Sequence, residues 1–110
     1  MKARLIGVLV TFANFVSAQE VYTCQYESQA DFTVFEVKYE SQADLLVYMV
    51  PYESQARGNE GLWYMSKYSS QAEKEIFFTK YESQADLKIF YVRYQSQAGW
   101  KNESRKPLLN

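Results

Sequence analysis

Three pairs of carboxylates recur at one spacing: Glu27 with Asp31, Glu40 with Asp44, and Glu82 with Asp86. Two carboxyl groups flanking a cleft can act as general acid and as base or nucleophile in glycoside hydrolysis. Clustered carboxylate oxygens can also ligate Ca²⁺. The repetition argues against both, because a catalytic pair is needed once, whereas groups copied into equivalent units answer a demand that each unit makes of its own structure. The glycine-containing spacing of known Ca²⁺ loops is also missing. The chain contains no His, which removes the commonest general base and the usual partner of a Ser or Cys nucleophile. No residue is therefore assigned to catalysis, to a cofactor or to a metal, and no enzymatic activity is expected. Asn102-Glu103-Ser104 has the form of a glycosylation sequon, and chance accounts for it as well.

The carboxylates belong to a repeat. Tyr-Glu-Ser-Gln-Ala begins at Tyr26, Tyr39, Tyr52, Tyr68, Tyr81 and Tyr94, with steps of 13, 13, 16, 13 and 13 residues; only its second position drifts, to Ser69 and Gln95. A fixed period marks one supersecondary unit copied along the chain, each copy unable to bury its own apolar face without its neighbours.

The runs leading into each motif carry an apolar residue at Val21, Val34, Val47, Trp63, Ile76 and Ile89, followed every time by an aromatic: Tyr22, Phe35, Tyr48, Tyr64, Phe77 and Phe90. Short runs rich in Val, Ile, Phe and Tyr without a 3.6-residue spacing read as strands. Consecutive strand residues face opposite ways. Both faces then carry apolar groups, which predicts strands sandwiched by other strands rather than a sheet with one wet side.

The motif lacks Gly, so its turn cannot depend on left-handed backbone angles. Its constant Ala is expected where a neighbouring segment crosses closely and a larger side chain would overpack. The constant Ser and Gln are expected to hold down irregular backbone at those crossings. Acidic residues after the motif (Asp31, Asp44, Glu73, Asp86) and basic ones before it (Lys38, Lys67, Lys80, Arg93) are expected to pair between strands or to keep an aromatic-rich β protein soluble. Arg57-Gly58-Asn59-Glu60-Gly61 interrupts the rhythm and reads as a connector, either a topological link or a functional loop.

Residues 1–18 have the pattern of a signal peptide. Lys2 and Arg4 precede an apolar run from Leu5 to Val16, and Val16-Ser17-Ala18 suits a signal peptidase. The run is far shorter than the roughly 20 residues a membrane-crossing helix needs. The expected domain is residues 19–110, secreted or periplasmic. It carries 12 − 2 = 10 basic and 13 acidic groups, with no basic block to attract phosphates, so nucleic acid is not expected as a partner. Cys24 is the single cysteine and excludes an intrachain disulfide. It occupies the position held in other units by Val37, Val50, Ser66, Thr79 and Val92, which predicts a buried, inert thiol and a monomer.

The units from Tyr39 to Tyr48 and from Tyr81 to Phe90, the central Leu62-Trp63-Tyr64 and the ending Gln97-Ala98-Gly99-Trp100-Lys101-Asn102 resemble the septoil knot domain family, over about Val21 to Leu109. The resemblance implies an all-β fold: a closed, deeply knotted repeat of short strands built from six units of about 13 residues, its backbone a seven-crossing torus knot. Generic fold rules would not propose one, since true knots are close to absent among proteins. Arg57 stands after the third motif in place of the acid that follows four of the others, and Lys74 stands where Leu usually follows that acid, which is expected to loosen packing there. The family has no assigned activity. Two functions remain open: a non-enzymatic, persistent module of the envelope or exterior, and a binding module for carbohydrate. An exposed Trp63 or Trp100 beside polar groups would favour binding, and burial of both the structural role.

Overall fold

Each aromatic-rich run forms a strand. A computed structural model describes residues 19–110, so the signal-peptide expectation for residues 1–18 lies outside the described residues. Six strands, β1 (Glu20–Thr23), β2 (Phe32–Glu36), β3 (Leu45–Met49), β4 (Leu62–Met65), β5 (Lys74–Phe78) and β6 (Leu87–Tyr91), are followed by the two-residue β7 (Gly99–Trp100) and a 3₁₀ segment, Glu103–Leu109. The first six pair in parallel in the order β4-β1-β5-β2-β6-β3, and β3 returns to β4. The sheet is therefore a closed barrel without a free edge among these strands. β7 adds antiparallel to Leu45 and Leu46 of β3.

The order alternates strictly between the halves of the chain. β1 lies between β4 and β5, β2 between β5 and β6, and β3 between β6 and β4. None of these six strands pairs with another of its own half. One hydrogen bond repeats at every seam: the N–H of Cys24, Val37, Val50, Ser66, Thr79 and Val92 donates to the carbonyl of Ile76, Ile89, Trp63, Val21, Val34 and Val47 respectively, at 2.7–2.9 Å. The acceptors are the six apolar residues picked out by the repeat, and all six are 0% exposed. They form one layer across the barrel interior, where alternate residues of each strand converge.

Two positions earlier in each unit lies a second layer. Phe32, Leu45 and Leu87 are buried there, while the other units supply Gln19, Gly61 and Lys74. The gaps this leaves at that end of the barrel are closed by the C-terminal segment, whose Leu109 is 2% exposed and joins the same core cluster, with Leu108 packed against it. Lys74 is half-buried, Val21 pairs in register with it, and Ile76, two positions on, is fully buried.

The expectation of strands sandwiched on both faces is corrected. Interior and exterior differ: the aromatics that follow the core residues, Tyr22, Phe35, Tyr48, Tyr64, Phe77 and Phe90, are half-buried on the outer face, beneath the connecting segments. A parallel pair cannot be joined by a tight hairpin and must send its link back along the outside. That link covers the outer aromatics only in part.

The central connector is fastened. Gly58 and Gly61 have φ of +65° and +91°, angles that favour glycine, and a Cβ on Gly61 would collide with the Leu46 carbonyl oxygen. Asn59 Nδ2 donates to the Lys106 carbonyl at 3.1 Å and to Asn110 Oδ1 at 2.9 Å, and Lys106 Nζ pairs with Glu60 at 2.9 Å. The connector is thus a topological link clamped to the C-terminal segment.

Candidate functional site

Every Tyr-x-Ser-Gln-Ala motif folds the same way. Tyr is extended (φ −118° to −130°), the next three residues make one 3₁₀ turn, and Ala has φ between −69° and −87°. The Gln N–H donates to the Tyr carbonyl and the Ala N–H to the carbonyl of the second residue, in all six copies. No positive φ is used, as the absence of Gly implies.

The turns are spread around the barrel. The first packs on β5, the third on β4, the fourth on β1 and the sixth on β3. Thr33 of β2 donates its hydroxyl to the Gln84 carbonyl in the fifth turn at 2.9 Å, and Glu40 of the second turn faces Phe90 and Tyr91 of β6 across a shared cleft. One turn therefore lies over each strand.

Burial within the motif differs from the sequence expectation. Ala56 and Ala43 are 1% and 7% exposed, as a close crossing requires, but the other four alanines are only half-buried. Ser and Gln, expected at buried crossings, are exposed in all six turns. The backbone closes each turn itself, so their side chains are not required there; only Gln55 and Gln97 bond within their own motif, each accepting from the N–H of its Tyr at 3.2 Å. The tyrosines are 59–68% exposed.

The recurrent carboxylates separate into two kinds. Glu27, Glu40 and Glu82 sit exposed on the turns. Asp31, Asp44 and Asp86 each complete a parallel seam: the Asp carboxylate accepts the N–H of Glu75, Lys88 or Thr33 at 2.8–3.0 Å, while its own N–H donates to the carbonyl of that same residue. This replaces the expected pairing with the basic residues before each Tyr. Those four, Lys38, Lys67, Lys80 and Arg93, are exposed, and the ion pairs among the described residues are Lys88 with Glu82 and Lys106 with Glu60. An extended strand start leaves N–H groups beyond the ladder, and an Asp reaching across satisfies one more strongly than a neutral acceptor would.

Asp44 does most of this. Its carbonyl accepts from Lys101 and Asn102, and its Oδ1 accepts from Asn102 Nδ2 at 3.0 Å. The nitrogen a glycan would need on the sequon asparagine is thus engaged in the folded domain.

Two further groups are unusual. Cys24 is 5% exposed, and its Sγ donates to Glu75 Oε1 at 3.5 Å. Burial and the neighbouring carboxylate push the thiol up to about 11, leaving little thiolate for reaction at neutral pH. Glu20 is 4% exposed. Its pKa is raised, first by burial and then by a hydrogen bond and like charge from Glu53; Ser66 opposes this with a hydrogen bond that favours the ionised form, and Glu73 adds repulsion. Among the described residues no group of three or more His, Cys, Asp and Glu is arranged to hold a metal.

The tryptophans offer no platform. Trp63 is 0% exposed at the centre of the barrel. Trp100 is half-buried, and its indole N–H donates to the Asn59 carbonyl at 2.7 Å. A cleft of about 230 Å³ lies between the second and sixth turns, lined by Glu40 of the second and by Tyr94 and Gln97 of the sixth.

No helix among the described residues is long and apolar enough to cross a membrane. A family model described as the 7(1) septoil knot domain matches residues 18–101. No curated protein and no solved structure matches the chain.

Proposed function

The chain belongs to the septoil knot domain family, and on that premise we propose that its barrel is threaded as a deep, seven-crossing knot and serves as a persistent, non-enzymatic, monomeric module, secreted or periplasmic. The observation that carries this reading is the strict alternation of the two halves in the strand order. Interleaved halves must be separated before either end comes free, so the unfolding barrier is high even where equilibrium stability is ordinary. Folding is slow for the same reason, since every pairing is non-local. A module outside the cell without a disulfide gains most from such a barrier, because proteolysis requires opening.

The test is the unfolding rate in denaturant extrapolated to water, together with digestion by a broad-specificity protease. Slow unfolding and slow digestion are expected. Unfolding within seconds and rapid degradation would reject persistence as the selected property. The export part is tested separately: N-terminal sequencing of secreted or periplasmic protein should begin at Gln19, and a sequence reading from Met1 would reject it.

A second reading, a binding module for carbohydrate, is favoured by one observation. Among the described residues, the large aromatic side chains most exposed to solvent are the six motif tyrosines, not the tryptophans.

A further inference from the structure

Repeated positions in this chain fall into two sets. The core position accepts Val, Ile or Trp and is fully buried in every unit. Tyr, Ser and Gln of the motif never change across six copies, yet they are exposed in every copy. Packing explains neither the constancy nor the choice. The turns are closed by backbone hydrogen bonds that any residue other than proline could make at the donor positions, and an aromatic ring mostly in water gains little from burial.

The displayed chemistry is specific. The one motif position that varies between charged and neutral is the second, occupied by Glu, Ser or Gln. What stays constant is neutral: an aromatic face, a hydroxyl and an amide. Charge is therefore not what the six turns share. Their arrangement narrows the ligand further. With one turn over each strand of a closed barrel, the six tyrosines point to all sides, and a flat protein surface of about 800 Å² would reach only adjacent turns. A flexible polymer of repeated neutral units, or several short pieces of one, matches a ring of repeated neutral sites.

We propose that the turns form a recognition surface for a neutral glycan, and that the cleft between the second and sixth turns is one of its subsites. This deepens the carbohydrate-binding reading and rests on it. The cleft, at about 230 Å³, is smaller than the roughly 300–1,000 Å³ of pockets for drug-sized ligands and suits a single sugar ring. Tyr94 and Phe90 supply apolar lining against which a sugar ring packs. Gln97 Oε1 accepts from the Tyr94 N–H, which fixes the amide, and its Nε2 has no partner among the described residues. Glu40 and Arg93, also in the lining, offer an acceptor and a donor for hydroxyl groups. Several weak subsites around one ring give useful avidity to a polymer without any one of them binding tightly.

The experiment is titration of the protein with the neutral oligosaccharides laminarihexaose, cellohexaose and chitohexaose, followed by amide NMR shifts. Heparin and polygalacturonate serve as acidic controls. At least one neutral hexasaccharide should shift the amides of Glu40 and of Tyr94 to Gln97 at about millimolar concentration, with no loss in high salt. Tyr94→Ala should weaken that response about tenfold through loss of a ring contact, and Tyr94→Phe should retain it. Because Tyr94 is 65% exposed, neither variant should change the unfolding midpoint. Shifts confined to residues away from the turns would overturn this site while preserving the binding reading. No response to any neutral glycan, or a response only to acidic polymers that salt abolishes, would overturn both. The persistent-module reading is judged by unfolding rates and is independent of all these outcomes.

Discussion

Gln19 and Leu109, at opposite ends of the described chain, are joined by a hydrogen bond of 3.3 Å from Gln19 Nε2 to the Leu109 carbonyl. The Leu109 side chain lies in the core beside it, and the Gln19 N–H donates to the Ala56 carbonyl at 3.1 Å. The two termini of the domain thus close the end of the barrel where the repeat supplies Gln, Gly and Lys in place of apolar residues.

Removing that closure should be expensive. Leu109→Ala deletes a fully buried side chain and should lower stability by about 2–5 kcal/mol, the range for such truncations. Leu108→Ala, half-buried, should cost less. Equilibrium denaturation of the two variants checks the order, and equal midpoints for Leu109→Ala and the parent would show that the segment merely rests on the barrel.

The alanines should separate by burial. Ala56→Leu, at 1% exposure, adds volume where there is none and should cost about 1–3 kcal/mol or more. Ala85→Leu, at a half-buried position, should cost clearly less. Denaturant midpoints measured side by side decide this.

Cys24 should react slowly with a thiol reagent in the native protein at pH 7 to 8 and rapidly once unfolded. Burial and Glu75 both oppose the thiolate. Fast native labelling would mean that the slot opens readily. Cys24→Val, copying Val37 and Val50 in the equivalent position, should fold with nearly unchanged stability.

Glu20 gives a pH dependence with a definite sign. Its folded pKa lies above the ordinary 4.5, so its contribution is fully present below that value and is lost as pH rises through the raised one. Glu20→Gln, neutral throughout, should therefore be more stable than the parent at pH 8, and the difference should shrink towards pH 4. Urea denaturation at both pH values tests it. An advantage for Glu20→Gln that is larger at pH 4 would invert the assignment.

Much of this was legible in the residues. Val21 and its five counterparts were identifiable as core because one position stayed apolar through every unit, and Cys24 as buried because its counterparts include Val. The roles of Asp31, Asp44 and Asp86 were not legible. Their partners are backbone N–H groups at sequence separations of 44 or 53, and composition says nothing about which strand lies alongside. The same non-locality hid the strand order. Constancy of Ser and Gln does not imply burial, because backbone bonds alone close the turn and leave both side chains exposed. The C-terminal plug had only one signal, Leu108-Leu109 in an otherwise polar tail. The constant Tyr, Ser and Gln are exposed, and constancy in a repeat does not by itself distinguish a displayed residue from a buried one.

The alternating strand order also bears on how such a chain could arise. Three units alone would make three strands, none beside another, each lacking both neighbours; such a half-length chain has no sheet of its own. It could bury its apolar positions only by meeting a second copy, strand into gap. Joining two copies through a segment like Arg57–Gly61 would turn that encounter between molecules into an event within one. In this light the two halves of the one chain stand to each other as two partner molecules would, each filling the gaps of the other.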